Sequence, residues 1–195
     1  MSIIEFFGLV GQLYAIMNPI GKLAVVGPLA VEKPSYVKKI TLVVVFILTS
    51  IFALGGGLIL TIFGVGLDSF RIAGGIVLMT ISITTLLSGS YVGKLEITEE
   101  QAVVPLATPL IVGPGTITAL IVMSSIYGPV QTWTVAAAAS ALVAFTLLIG
   151  IKVVRYIGVT PMRLLGRFMS LIIASVATEM ILTGVKNHLA DIKPS

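Results

Sequence analysis

Between Glu100 and Lys152 the chain runs for 51 residues without one charged side chain. A soluble domain shows polar or charged residues at helical or strand spacing wherever an element meets water, and this run has no such face. It is also far longer than the roughly 20 apolar residues that cross a bilayer core. Tyr127-Gly128-Pro129 punctuates it near the middle as a turn, so it reads as two crossings. Shorter uncharged intervals supply the others. They hold 16 residues between Glu5 and Lys22, with apolar character resuming from Leu23 to Val31, then 28 between Lys39 and Asp68 and 22 between Arg71 and Lys94. The last segment, Arg167 to Lys186, is interrupted by Glu179 alone. The predicted fold class is an all-α integral membrane protein with six transmembrane helices, near 3–30, 40–64, 70–90, 102–126, 131–153 and 165–187.

Composition closes the other routes. Only 10% of the 195 residues are charged and 57% are hydrophobic, against about 25% charged in ordinary soluble domains. That argues against a cytosolic enzyme, a nucleic-acid-binding domain or a disordered regulator. With no Cys and a single His, His188, the chain has no disulfide, thiolate site or metal-binding His cluster. No cofactor and no enzymatic activity are expected. The acidic leader Met1-Ser2-Ile3-Ile4-Glu5 is unlike a signal peptide, and no small-residue cleavage site follows; the first crossing is read as retained.

Basic residues set the orientation. Lys33, Lys38, Lys39, Lys94, Lys152, Arg155, Arg163 and Arg167 fall on one side, and Arg71, Lys186 and Lys193 on the other. Both termini are therefore placed outside, in a prokaryotic inner membrane. Homo-oligomerisation stays open.

The two halves resemble each other. Phe70-Arg71-Ile72-Ala73-Gly74 matches Met162-Arg163-Leu164-Leu165-Gly166 at a shift of 92 residues, and Gly66 then falls on Gly158. The first span holds Asn18-Pro19-Ile20-Gly21, and the fourth holds Thr108-Pro109 and then Gly113-Pro114-Gly115-Thr116. Three crossings per half is an odd number, so the second half enters from the opposite side. Residues 1–92 and 93–195 thus form two inverted three-helix repeats with broken helices 1 and 4, an arrangement of secondary transporters.

A proline inside a helix removes one hydrogen bond and clashes with the preceding turn, and in hydrocarbon the freed groups must find protein or water. A continuous first helix of 28 residues would reach about 42 Å, against a core of about 30 Å. Asn and Thr favour N-caps and Pro the first helical position. Asn18-Pro19 and Thr108-Pro109 each read as the start of a half-helix, with Gly113–Thr116 a further flexible, backbone-exposing stretch. Half-helix N-termini suit an anion and the preceding carbonyls a cation; a small zwitterion such as a free amino acid satisfies both. The candidate substrate-binding residues are Asn18, Pro19, Ile20, Gly21, Thr108, Pro109, Gly113, Pro114, Gly115 and Thr116.

These same segments, with Gly75, the run Ala107–Gly115 and Arg167-Phe168-Met169, resemble the MarC/SnatA family over essentially the whole chain. The resemblance implies a transporter of small neutral amino acids, glycine and alanine, with proton coupling. One departure is Glu179, where the family pattern often has Gln, with no Asp beside Thr183.

Glu179 lies about 18 Å along the last span at 1.5 Å per residue, where a charge is costly and commonly functional. It is a candidate for proton coupling. Arg71 and Arg163 open the third span of each half as carboxylate contacts or headgroup anchors, with the anchor favoured. Lys22 is read as snorkelling to the interface. Ala136, Ser140 and Ala144, like Ser170 and Ala174, carry the small-residue spacing of packed helices. The expected partners are a small neutral amino acid, a proton or sodium ion and the lipid bilayer, with no nucleic acid. A drug or metabolite exporter and a channel are the competing functions.

Overall fold

The computed structural model describes residues 1–23, 43–88 and 112–192. Among them the structure is entirely helical: α1 (Ile3–Met17), α2 (Val45–Phe63), α3 (Leu67–Ser88), α4 (Pro114–Tyr127), α5 (Pro129–Ile157) and α6 (Thr160–Ile192). Helical structure resumes over 19–23, extending the first span to Ile3–Leu23. Among the described residues five helices are long and apolar enough to cross a membrane, and α4 is a shorter apolar helix. The early part of the fourth expected span, with Thr108 and Pro109, lies outside the described residues, as does the end of the first.

Local chemistry explains the ends. Ser2 and Glu5 form a reciprocal capping box that opens α1. Gly64 sits at φ 62° and closes α2, its N–H reaching Leu60 and Thr61 carbonyls. Gly128, at φ 85°, both ends α4 and precedes Pro129, the first residue of α5. The turn read at Tyr127-Gly128-Pro129 is therefore present.

Large aliphatic side chains such as Leu13, Met17, Leu78 and Leu120 fill the core, and small residues with interhelical hydrogen bonds bring the helices together, as packing in lipid favours. Ala136, Ser140 and Ala144 of α5 are buried, and so is Ser170 of α6. Thr49 Oγ1 and Ser140 Oγ lie 3.0 Å apart between α2 and α5. Tyr14 Oη and Thr146 Oγ1 lie 2.9 Å apart between α1 and α5. Ser82 Oγ donates to the Ser170 carbonyl at 2.9 Å between α3 and α6. The outer faces carry large apolar side chains in the open, among them Phe63 at 75% and Phe145 at 63% exposure. Water would penalise such a surface, and hydrocarbon would not.

The helices pack in a definite pattern. α3 lies against α6, α2 against both α4 and α5, α1 against α5, and α4 against α3 and α1. Gly75 faces Ala177 and Ile181, and Gly184 faces Asp68 and Ile72. With the Ser82–Ser170 bond further along both helices, beyond Gly75, α3 and α6 run antiparallel. Gly74 on Thr118 and Leu78 on Gly115 make α3 and α4 antiparallel too.

Candidate functional site

The first break is observed in atomic detail. Asn18 adopts the left-handed conformation (φ 42°, ψ 56°) and is the one non-glycine residue with positive φ among the described residues. Asn reaches this region more readily than most side chains. Its N–H closes α1 on the Tyr14 and Ala15 carbonyls. Its Oδ1 then accepts from Gly21 N–H at 3.1 Å, so the same residue caps the turn that Pro19 opens. Asn18 is 1% exposed, and its Nδ2 has no hydrogen-bond partner among the described residues. A buried amide donor left in that condition costs roughly 1–3 kcal/mol.

The next residues are fixed by close packing. A Cβ on Gly21 would meet the Asn18 amide at 2.8 Å, and a Cβ on Gly166 would lie 2.7 Å from Gly21 Cα. Gly166 belongs to the Arg163-x-x-Gly166 motif, so that motif works by admitting the turn at 19–23 against α6. Gly74, its partner in Arg71-x-x-Gly74, admits Thr118 of α4 in the same way.

The second break differs from the sequence reading. Gly113–Thr116 is not a flexible stretch: Gly113 is the extended N-cap (φ −83°, ψ 179°) and Pro114 the first residue of α4. Ile117 N–H bonds the Gly113 carbonyl at 3.0 Å. Proline lacks the N–H that would be orphaned there, which is why it starts the helix rather than breaking it. Gly113, Gly115 and Thr116 are buried. The first turn of α4 packs near the end of α1, since a Cβ on Gly115 would lie 3.8 Å from Ile16 Cγ2. Pro19 is buried beside them, while Ile20 is half-buried.

One helical turn from this meeting point, towards the end of the bundle that holds Ser2, a cavity of about 260 Å³ opens between α1, α3, α4 and α6. Gln12, Arg71, Tyr127, Glu179 and Thr183 are its polar lining, above Ala119 and Met123. Arg71 donates to Asp68 Oδ1 at 2.9 Å, and Asn187 of α6 donates to the same oxygen at 3.0 Å. Glu179 receives one long contact, from Thr183 Oγ1 at 3.4 Å.

The structure thus brings Arg71 and Glu179 to one cavity and leaves Arg163 apart, exposed on the outer side of α6. Glu179 is open to the cavity rather than enclosed by helices. Lys22 does not snorkel: it is fully buried beside the break. Five residues were missing from the sequence reading as a group, since Gln12, Tyr127 and Thr183 carry no motif and join Arg71 and Glu179 only through packing. Among the described residues there is no cluster of three or more His, Asp or Glu that would hold a metal.

Comparison with known proteins assigns the chain. The family model described as MarC family integral membrane protein matches residues 3–189. A UPF0056 membrane protein of Pyrococcus horikoshii is 36% identical over 193 residues, covering 95% of this chain and 96% of its own. One from Methanocaldococcus jannaschii is 34% identical, covering 97% of this chain and 100% of its own. One from Buchnera aphidicola is 32% identical, covering 90% and 89%. No solved structure matches. The chain belongs to the MarC family of multi-pass integral membrane proteins.

Proposed function

We propose that this protein is a secondary transporter of small neutral amino acids, glycine and alanine foremost, driven by an ion gradient and coupled to protons. Substrate binds where the first and fourth spans are interrupted, around Asn18–Gly21 and Gly113–Thr116, and Thr108 and Pro109 belong to the same group by the sequence reading. Transport proceeds by alternating access of two inverted halves, residues 1–92 and 93–195, in a prokaryotic inner membrane with both termini outside.

The observation that carries this reading is the buried Nδ2 of Asn18, without a hydrogen-bond partner among the described residues, where the end of α1 approaches the start of α4. Packing alone gives no reason to leave a donor unsatisfied there, whereas a carboxylate arriving from water would accept from it. The packing pattern supports the inverted repeat. Exchanging α1 with α4, α2 with α5 and α3 with α6 converts the α1–α5 contact into α4–α2, and α3–α4 into α6–α1. The contacts α3–α6, α2–α5 and α1–α4 map onto themselves. The access cavity of about 260 Å³ falls below the roughly 300–1,000 Å³ of pockets for drug-sized ligands, which favours a small solute over a drug.

The test is glycine counterflow in proteoliposomes, with the wild type beside Asn18→Ala and Thr108→Ala. Saturable exchange that falls in both variants is expected. Unchanged exchange in both removes these residues from the binding site. Flux that never saturates points to a channel, and absence of accumulation under any ion gradient points to an exporter.

A further inference from the structure

We propose that the cavity between α1, α3, α4 and α6 is a second, entry site for small zwitterions, in which Glu179 takes the ammonium group and Arg71 the carboxylate. The proposal rests on the transport reading for its biological purpose but on its own residues for its chemistry.

The charges in this cavity are arranged so as not to cancel each other. Arg71 and Glu179 both face it, yet the ion pair of Arg71 is with Asp68, at 2.9 Å. Asn187 reaches across from α6 to bond the same Asp68 oxygen, which fixes the carboxylate and through it the guanidinium. One of the five N–H donors of Arg71 is thereby engaged, and a guanidinium presents the remainder in a planar fork suited to a carboxylate. Glu179 is left with a single contact of 3.4 Å from Thr183, at the far limit of a hydrogen bond. A carboxylate with two oxygens and about four acceptor positions has room there for an ammonium.

The walls fit the rest of such a molecule. Gln12 and Tyr127 add neutral donors and acceptors, and Met123 closes the floor with an apolar, adaptable surface. A solute with a charged side chain would need a third countercharge, and the described lining holds none. The floor residue Ala119 lies one turn along α4 from Gly115. A zwitterion held here waits one turn of α4 from Gly115. The site would therefore select for both charged ends with side chains before the substrate reaches the backbone groups beyond.

The chain contains no Cys, so one thiol placed in the cavity reports on it alone. Ile126→Cys, at the rim, and Gln12→Cys, on the opposite wall, are each labelled with a charged maleimide in detergent, with and without glycine. Glycine is expected to slow labelling several-fold in both, while acetate and methylammonium at the same concentration do not. Protection should disappear when Glu179→Gln or Arg71→Gln is added, with folding followed by size exclusion. Equal protection by acetate or methylammonium alone overturns the proposal. So does an unprotected thiol in both backgrounds while glycine counterflow runs in liposomes of the same variant. Protection without counterflow would uphold the site and count against the transport reading instead.

Discussion

Gly166 and Gly74 each close an Arg-x-x-Gly motif, yet alanine should fail at them for different reasons. At Gly166 the added Cβ would sit 2.7 Å from Gly21 Cα and 3.6 Å from Gly21 N. Carbon atoms rest at about 3.5–4.0 Å, so α6 and the turn at 19–23 must part by roughly 1 Å. Nothing can be trimmed to make room, because the obstacle is backbone. Overpacking of this kind costs about 1–3 kcal/mol. For chains of this size about 2–4 °C of melting temperature accompanies each kcal/mol, so Gly166→Ala should melt about 2–12 °C lower.

At Gly74 the added Cβ overlaps the Thr118 methyl and lies 3.0 Å from Thr118 Cβ. Here the obstacle is a side chain. Thr118→Ala removes the methyl together with the hydroxyl that bonds the Pro114 carbonyl at 3.0 Å, a loss of about 1 kcal/mol. In a Gly74→Ala background it should restore stability, with a coupling in the range of about 0.5–3 kcal/mol expected for touching residues. The assay is temperature-dependent size exclusion of the four variants of the cycle, beside Gly166→Ala. Additive losses in the cycle would refute the contact between α3 and α4. An unshifted melting temperature for Gly166→Ala would refute the close approach at the first break.

Other substitutions separate structure from binding. Asn18→Asp keeps the oxygen that caps Gly21 and loses the Nδ2 donor, so its melting temperature should fall less than that of Asn18→Ala while glycine counterflow falls at least as far. Asn18→Ala loses both the cap, worth about 0.5–2 kcal/mol, and about 1–2 kcal/mol of tolerance for the left-handed conformation; Asn18→Gly should recover the second part alone in thermal melts. Thr49→Val removes the 3.0 Å bond to Ser140 and should cost about 0.6 kcal/mol, the average for such bonds between membrane helices. Tyr14→Phe removes the bond to Thr146 and should cost a similar amount, with counterflow unchanged.

The crossings were legible because lipid imposes a one-dimensional rule: uncharged intervals must be long enough to span. The spans read near 40–64, 70–90, 131–153 and 165–187 contain most of α2, α3, α5 and α6. The interruption at Asn18-Pro19 was legible for an equally local reason, since a capping residue before proline states where a helix restarts. Gly113–Thr116 was misread because Pro between two glycines looks flexible, whereas in the bundle Gly113 is an extended N-cap and Pro114 fits the first turn. Lys22 was misplaced because snorkelling is judged from distance to the interface. Burial depends instead on what packs over the turn at 19–23, and that is a tertiary fact.

The cavity was the least legible feature, although two of its residues were named from sequence. Arg71 and Glu179 lie on helices separated by more than half the chain, and only the antiparallel packing of α3 on α6 brings them to one opening. That packing has a sequence cause. Gly75 admits Ala177 and Ile181, and Gly184 admits Asp68 and Ile72, so one glycine on each helix sets the register between the two. Arg71 lies four residues before Gly75, one turn closer to the Ser2 end, and Glu179 lies between Ala177 and Ile181. Once the glycines fix the register, the two charges must arrive about one turn apart along the bundle, within reach of one cavity. Gly74 and Gly166 hold α3 against α4 and α6 against the turn at 19–23, and Gly75 and Gly184 hold α3 and α6 to each other. A displacement of α3 against α6 would therefore be felt both at the cavity that the two helices line and at their contacts with α4 and the turn at 19–23.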